Sequence, residues 1–177
     1  LTIPPTVEKL NSSVFAGTNF TSIEFQAGLD GKNTVSLDKN AFRDMDQVTE
    51  ITVDNLDCAD SEFAFNNTNL AKVKKVTVRN SNLKSIAFTS PELEEVLVEN
   101  CPDTLVTFGN NPKLKSLQLN NVKTDSELKL YGAQLENVSL SNLNSVTKLN
   151  LAQHPYAPKL NQLEVSQCVN ISNIDLY

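Results

Sequence analysis

The residues able to do chemistry are few and scattered. His154, in the stretch Ala152-Gln-His-Pro-Tyr-Ala-Pro-Lys159, is the one histidine of the chain, so it is the single imidazole that could act as a general base near neutral pH. No Gly-x-Ser-x-Gly or His-Glu-x-x-His segment accompanies it, and one histidine cannot assemble a zinc set. Asp57, Asp60 and Glu62 offer hard oxygen ligands of the type calcium takes, but their spacing departs from the EF-hand loop. Three cysteines, Cys58, Cys101 and Cys168, complete the set. The expectation is therefore no catalytic, metal or cofactor-binding residue, and a non-enzymatic chain.

Composition narrows the class further. The chain has 177 residues, 40% of them hydrophobic and 20% charged, with a net charge of −6. That is enough apolar matter for one core, and no run is long and apolar enough to span a bilayer. The acidic balance lacks the basic footprint that neutralises phosphates, which argues against nucleic acid. Lys72, Lys74 and Lys75 read as a solvated strand face. The chain begins at Leu1 with no charged and apolar leader, so it reads as a mature chain or an excised segment. Asn supplies about an eighth of the residues while Gly is scarce, a bias that points to recurring turns.

The elements that hold these residues follow from a repeat. Apolar triplets in an L-x-x-L-x-L spacing start at Phe20, Val48, Val73, Leu93, Leu114, Leu135 and Leu160, with intervals of 20 to 28 residues. Such self-similarity marks a solenoid. About ten residues later comes a second alternating pair, as in Val35/Leu37, Ile86/Phe88, Val106/Phe108, Leu128/Leu130, Leu149/Leu151 and Ile174/Leu176. Each coil thus holds two short half-buried strands whose apolar sides meet inside.

The corners repeat as well. Asn55, Asn80, Asn100, Asn121, Asn142 and Gln167 stand two residues beyond each first strand, an amide ladder suited to unpaired backbone groups at a tight turn. Pro91, Pro112 and Pro158, with Ala133 in the same slot, precede the next strand. Cys101 and Cys168 share one slot three coils apart, about 14 Å at strand spacing. A disulfide requires Cα atoms within about 7 Å, so buried, unpaired thiols are expected.

The stretch Ile3–Phe25, IPPTVEKLNSSVFAGTNFTSIEF, resembles the BspA-type leucine-rich repeat, which alternates I-P-x-x-V-x-x-I with A-F-x-x-C-x-x-L-x-x-I. The aromatic slot recurs at Val14-Phe15, Ala41-Phe42 and Ala64-Phe65, and Met45 stands in the usual Cys position. From Val73 the coils are similar to a shorter variety. The resemblance implies a mainly β, right-handed leucine-rich-repeat solenoid of about eight coils, with two short parallel strand faces per coil and irregular convex segments. One domain is expected over residues 1–177, its longer coils in 1–72 and its shorter ones in 73–177. It also implies an extracellular or cell-surface, bacterial-type adhesion or protein-binding role.

Where a partner would bind is read from strand alternation. The outward column is expected to be Glu24, Thr52, Thr77, Leu97, Gln118, Ser139 and Glu164, with Leu97 its one exposed apolar member. Three irregular loops, Gln26–Asn33, Asp57–Thr68 and Ala152–Lys159, are further candidates, the last supplying His154 and Tyr156 as loop contacts. A protein partner, host or matrix, is the first expectation. A carbohydrate module or a structural spacer within a larger surface protein are the alternatives. Neither end shows an obvious polar cap, so the ends are expected to be covered by short local segments, by neighbouring molecules through self-association, or by sequence outside this chain.

Overall fold

The computed structural model describes residues 1–65, 70–130, 134–151 and 159–176. Among them are fifteen strands and no helix. In chain order these are β1 (Thr2–Ile3), β2 (Lys9–Leu10), β3 (Ser22–Phe25), β4 (Ser36–Leu37), β5 (Glu50–Asp54), β6 (Asp57–Phe65) and β7 (Lys75–Arg79). They continue with β8 (Asn82–Phe88), β9 (Glu95–Phe108), β10 (Ser116–Thr124), β11 (Glu127–Lys129), β12 (Asn137–Ser141), β13 (Lys148–Asn150), β14 (Gln162–Ser166) and β15 (Asn173–Asp175).

One long parallel sheet runs β1-β3-β5-β7-β9-β10-β12-β14. These eight strands are the first strands of successive coils, about seven turns of solenoid. The second strands pair separately, as β2-β4 and β11-β13-β15, or as β6-β8 and the distal half of β9. In the middle coils the two strands are not separate: β9 runs from Glu95 through the corner at Asn100 to Phe108 without a break. The region Asp57–Thr68, expected to be a loop, is strand as far as Phe65. Its extra residues form a bulge between Cys58 and Glu62 in the pairing with β8.

The corner ladder is real, and its cause is backbone conformation. Asn55, Asn80, Asn100, Asn121, Asn142 and Gln167 all have φ between 49° and 57°. That left-handed region is costly for most side chains and cheapest, after glycine, for asparagine. Their amides, however, do not cap the backbone as expected. Asn100 Nδ2 donates to Asn80 Oδ1 (3.3 Å), and Asn80 Nδ2 to Asp54 Oδ1 (3.0 Å). Hydroxyl side chains from the following coil, buried at Ser61, Ser81 and Thr104 and half-buried at Ser145, do that task instead. Ser61, Ser81, Thr104 and Ser145 hydroxyls accept from the backbone N–H of Leu37, Leu56, Leu83 and Thr124 at 3.0–3.1 Å.

Two fully buried asparagines close loops in the same way. Asn33 accepts from Val35 N–H and donates to the Gln26 carbonyl (2.9 Å). Asn111 accepts from Ser90 N–H (2.9 Å) and donates to the Phe88 carbonyl (3.1 Å).

The core lies between the strand faces. Ile23, Ile51, Val76, Val96, Leu117 and Val138 stack rung on rung, each at most 2% exposed. In the first coils an aromatic stack fills the width: Phe15 on Phe42 (6.0 Å) and Phe42 on Phe63 (5.0 Å), while Phe88 stacks on Phe108 (5.2 Å) further on. The third ring of the first stack is Phe63, and the backbone of Phe65 is in register with Phe88.

Replacing Thr104 by Val keeps the shape but strands the buried Leu83 N–H, at a cost of about 1–3 kcal/mol. Thr104→Ser retains the acceptor and stays closer to the parent. Urea unfolding of the two variants measures the difference.

Candidate partner-binding face

The long sheet alternates inward apolar with outward polar residues, so every second residue of every first strand lies on one outer surface. The strand register joins Thr2, Glu24, Thr52, Thr77, Leu97, Gln118, Ser139 and Glu164 into one column. On its N-terminal side runs Ser22, Glu50, Lys75, Glu95, Ser116, Asn137 and Gln162. On the other runs Asp54, Arg79, Glu99, Asn120, Ser141 and Ser166.

Leu97, expected to be exposed, is half-buried. Ion pairs flank it on both sides: Lys75 Nζ lies 3.7 Å from Glu95 and Arg79 Nε 2.5 Å from Glu99. Leu97, Lys75, Glu95 and Arg79 line a depression of about 420 Å³ that also takes in Glu50, Thr52, Thr77, Ser116 and Gln118. A smaller one of about 230 Å³ continues toward Ser139 and Glu164. The result is a trough with one apolar patch in its floor and charge pairs along its walls.

Charge alternates between coils more widely than residue spacing alone suggests. Glu94 bridges Lys74 (3.6 Å) on one coil and Lys115 (3.4 Å) on the next, and Glu127 bridges Lys129 and Lys148. Lys74 and Lys75 are therefore members of ladders, not bare solvated cations. Exposed to solvent, each cross-strand pair of this type is screened and contributes little on its own. The lysine partners hold Glu62, Glu94 and Glu127 below the ordinary glutamate value.

Several sequence candidates are reassigned. Asp57 is held by Lys32 (2.5 Å) and Asn82 (2.9 Å), while Glu62 is held by Lys84 (2.6 Å). Among the described residues no group of three or more His, Cys, Asp or Glu side chains is placed to hold a metal ion. His154 and Tyr156 lie outside the described residues. Gln26–Asn33 forms a tight loop, closed by Gly28 N–H to the Lys32 carbonyl (2.6 Å) with Gly31 left-handed, and the fully exposed Leu29 sits at its tip.

The cysteines are unpaired. The Cys58 thiol donates to the Val35 carbonyl and that of Cys101 to the Glu99 carbonyl (3.2 Å). Burial pushes both up to about 11, so neither forms thiolate near neutral pH.

A thiol-specific reagent near neutral pH labels half-buried Cys168 first, and Cys58 and Cys101 only as the chain unfolds; mass spectrometry of the labelled peptides reads the order. The depressed glutamates bind fewer protons folded than unfolded, so their contribution is complete above the ordinary value of 4.5. It is lost as pH falls through the lower folded-state values. Thermal melts over that acid range should show a falling midpoint, less so in Glu94→Gln.

A family model for the BspA type leucine rich repeat region matches residues 1–94, in six copies. No curated protein and no solved structure matches the chain. Repeats of this kind build a scaffold that commonly serves protein binding, and among the described residues no helix is long and apolar enough to cross a membrane. With its parallel all-strand coils, apolar rungs and left-handed asparagine corners, and with the match over more than half its length, the chain belongs to the BspA-type leucine-rich repeat family.

Proposed function

We propose that the chain is a non-enzymatic extracellular or cell-surface scaffold that binds a protein partner, in an adhesion role, through the outer face of its long sheet. The observation that carries this reading is the trough centred on Leu97. A half-buried leucine stands between Lys75–Glu95 and Arg79–Glu99. Interface hot spots have that plan, an apolar anchor point inside a polar rim that keeps water out.

A solenoid supports such a face well, because column residues sit on adjacent rungs about 4.8 Å apart, and a face ordered in advance loses less to ordering on binding. No aromatic residue lines the trough, which favours protein over sugar, since sugar platforms stack on aromatic rings. Glu24, Thr52, Thr77, Gln118, Ser139 and Glu164 extend the contact along the column, and His154 and Tyr156 add loop contacts.

The test uses a panel of purified extracellular-matrix and host-surface proteins immobilised for a binding assay. The parent chain captures at least one of them. Leu97→Lys weakens that capture about 10- to 100-fold, the range of a hot-spot truncation, whereas Lys84→Ala on another side leaves it intact. Equal capture by both variants would sink the assignment to this face, and capture of nothing on the panel would sink the adhesion role.

A further inference from the structure

The outer face of the long sheet carries most of the charge of the chain. Over its three outward columns stand six carboxylates, Glu24, Glu50, Asp54, Glu95, Glu99 and Glu164, against two bases, Lys75 and Arg79. Six against two leaves a formal charge of −4 on this face, out of −6 for the whole chain.

The excess is gathered at one end of the trough. Lys75 and Arg79 are spent on Glu95 (3.7 Å) and Glu99 (2.5 Å) of β9. In register on their other side lie Glu50 and Asp54 of β5, and among the described residues no ion pair reaches either. Asp54 accepts only from the neutral Asn80 amide (3.0 Å). Glu24, on the preceding rung, has Thr2 and Thr52 as its column neighbours. Three acids thus stand around Thr52: Glu50 and Asp54 along the strand and Glu24 across it. Glu50 and Thr52 line the same depression as the half-buried Leu97, with Thr77 on the rung between.

We propose that the occupant of this depression is a cationic segment of the partner, with a Lys or Arg side chain set among Glu24, Glu50 and Asp54 and an aliphatic side chain set on Leu97. The proposal rests on the partner-binding reading above and supplies the chemistry of the partner. Charge complementarity selects the basic residue, and the same field turns away acidic peptides, nucleic acid and sulfated glycans. Spacing selects the backbone. Thr52 and Leu97 are two rungs apart, about 9.6 Å at strand spacing. A β-strand lying along the column puts same-face side chains about 6.6 or 13 Å apart. A polyproline-II segment brings residues three positions apart onto one face at about 9.3 Å. The matching segment therefore carries its basic and aliphatic residues three positions apart in that conformation.

Titrating the isotope-labelled chain with a synthetic peptide repeating Lys-Pro-Pro-Leu-Pro-Pro over about 12 residues tests this, because NMR shifts both locate a weak site and give its Kd. The expected shifts cluster on β3, β5, β7 and β9 and shrink as salt is raised. A peptide with Glu in place of Lys should bind at least about tenfold more weakly. Glu24→Gln combined with Glu50→Gln, both at exposed positions, should weaken the Lys peptide about fivefold. No shifts with the Lys peptide, shifts elsewhere, equal binding of the Glu peptide, or a double variant that binds like the parent each overturns the cationic segment. The two readings fail separately when the double variant also enters the panel assay. A panel protein that binds the double variant as well as the parent, but not Leu97→Lys, keeps the partner-binding face and removes the cationic segment. Peptide binding that tracks Glu24 and Glu50 while the panel captures nothing removes the adhesion role and keeps the cationic segment.

Discussion

The structure depends on one backbone constraint, the left-handed residue at the corner of each coil. Asn55, Asn80, Asn100, Asn121, Asn142 and Gln167 turn the chain out of its first strand at a φ that a helix or a straight strand cannot supply. The N–H of the corner residue then bonds to the next coil: Asn55 to the Arg79 carbonyl, Asn80 to Glu99 and Asn142 to Ser166, at 3.1–3.2 Å. A corner therefore does two tasks at once. It bends its own coil and fixes the height and register of the following one. The parallel register from β3 to β14 follows, because each rung starts its second leg from the same stacked point.

Register converts the sequence alternation into two surfaces with different energetics. Inward positions become continuous apolar columns, and burying each Val, Leu or Ile contributes about 1.5–3 kcal/mol. Outward positions become columns of polar side chains whose ion pairs are each worth a fraction of that. Stability thus resides inside, and the outer ladders act mainly on pairing choice. With Lys75 between Glu50 and Glu95 in register, and Glu94 between Lys74 and Lys115, a slip of one rung would set like charges together.

How far this was legible in the sequence varies by element. The rungs were fully visible, since their apolar spacing survives intervals of 20 to 28 residues. The corner residues were visible too, but their role was misread, because side-chain identity signals a conformation without saying where the amide points. The hydroxyls of Ser61, Ser81, Thr104 and Ser145 were missed altogether. They stand at different offsets from their corners, 61 and 104 within bulges that absorb extra residues, so no fixed period marks them. The half-burial of Leu97 was equally hidden. It depends on the long side chains of neighbouring coils, which alternation along one strand does not report.

The separation of surfaces also bears on what the scaffold can evolve. A substitution at Thr77, Leu97 or Gln118 touches column neighbours at the same outer level and leaves the inward rungs of Val76, Val96 and Leu117 untouched. The corner asparagines hold the register whatever the column presents. The side-chain chemistry of this face is thereby decoupled from folding, and a coil can accept a new outward residue at the cost of a surface substitution, usually within about 0.5 kcal/mol.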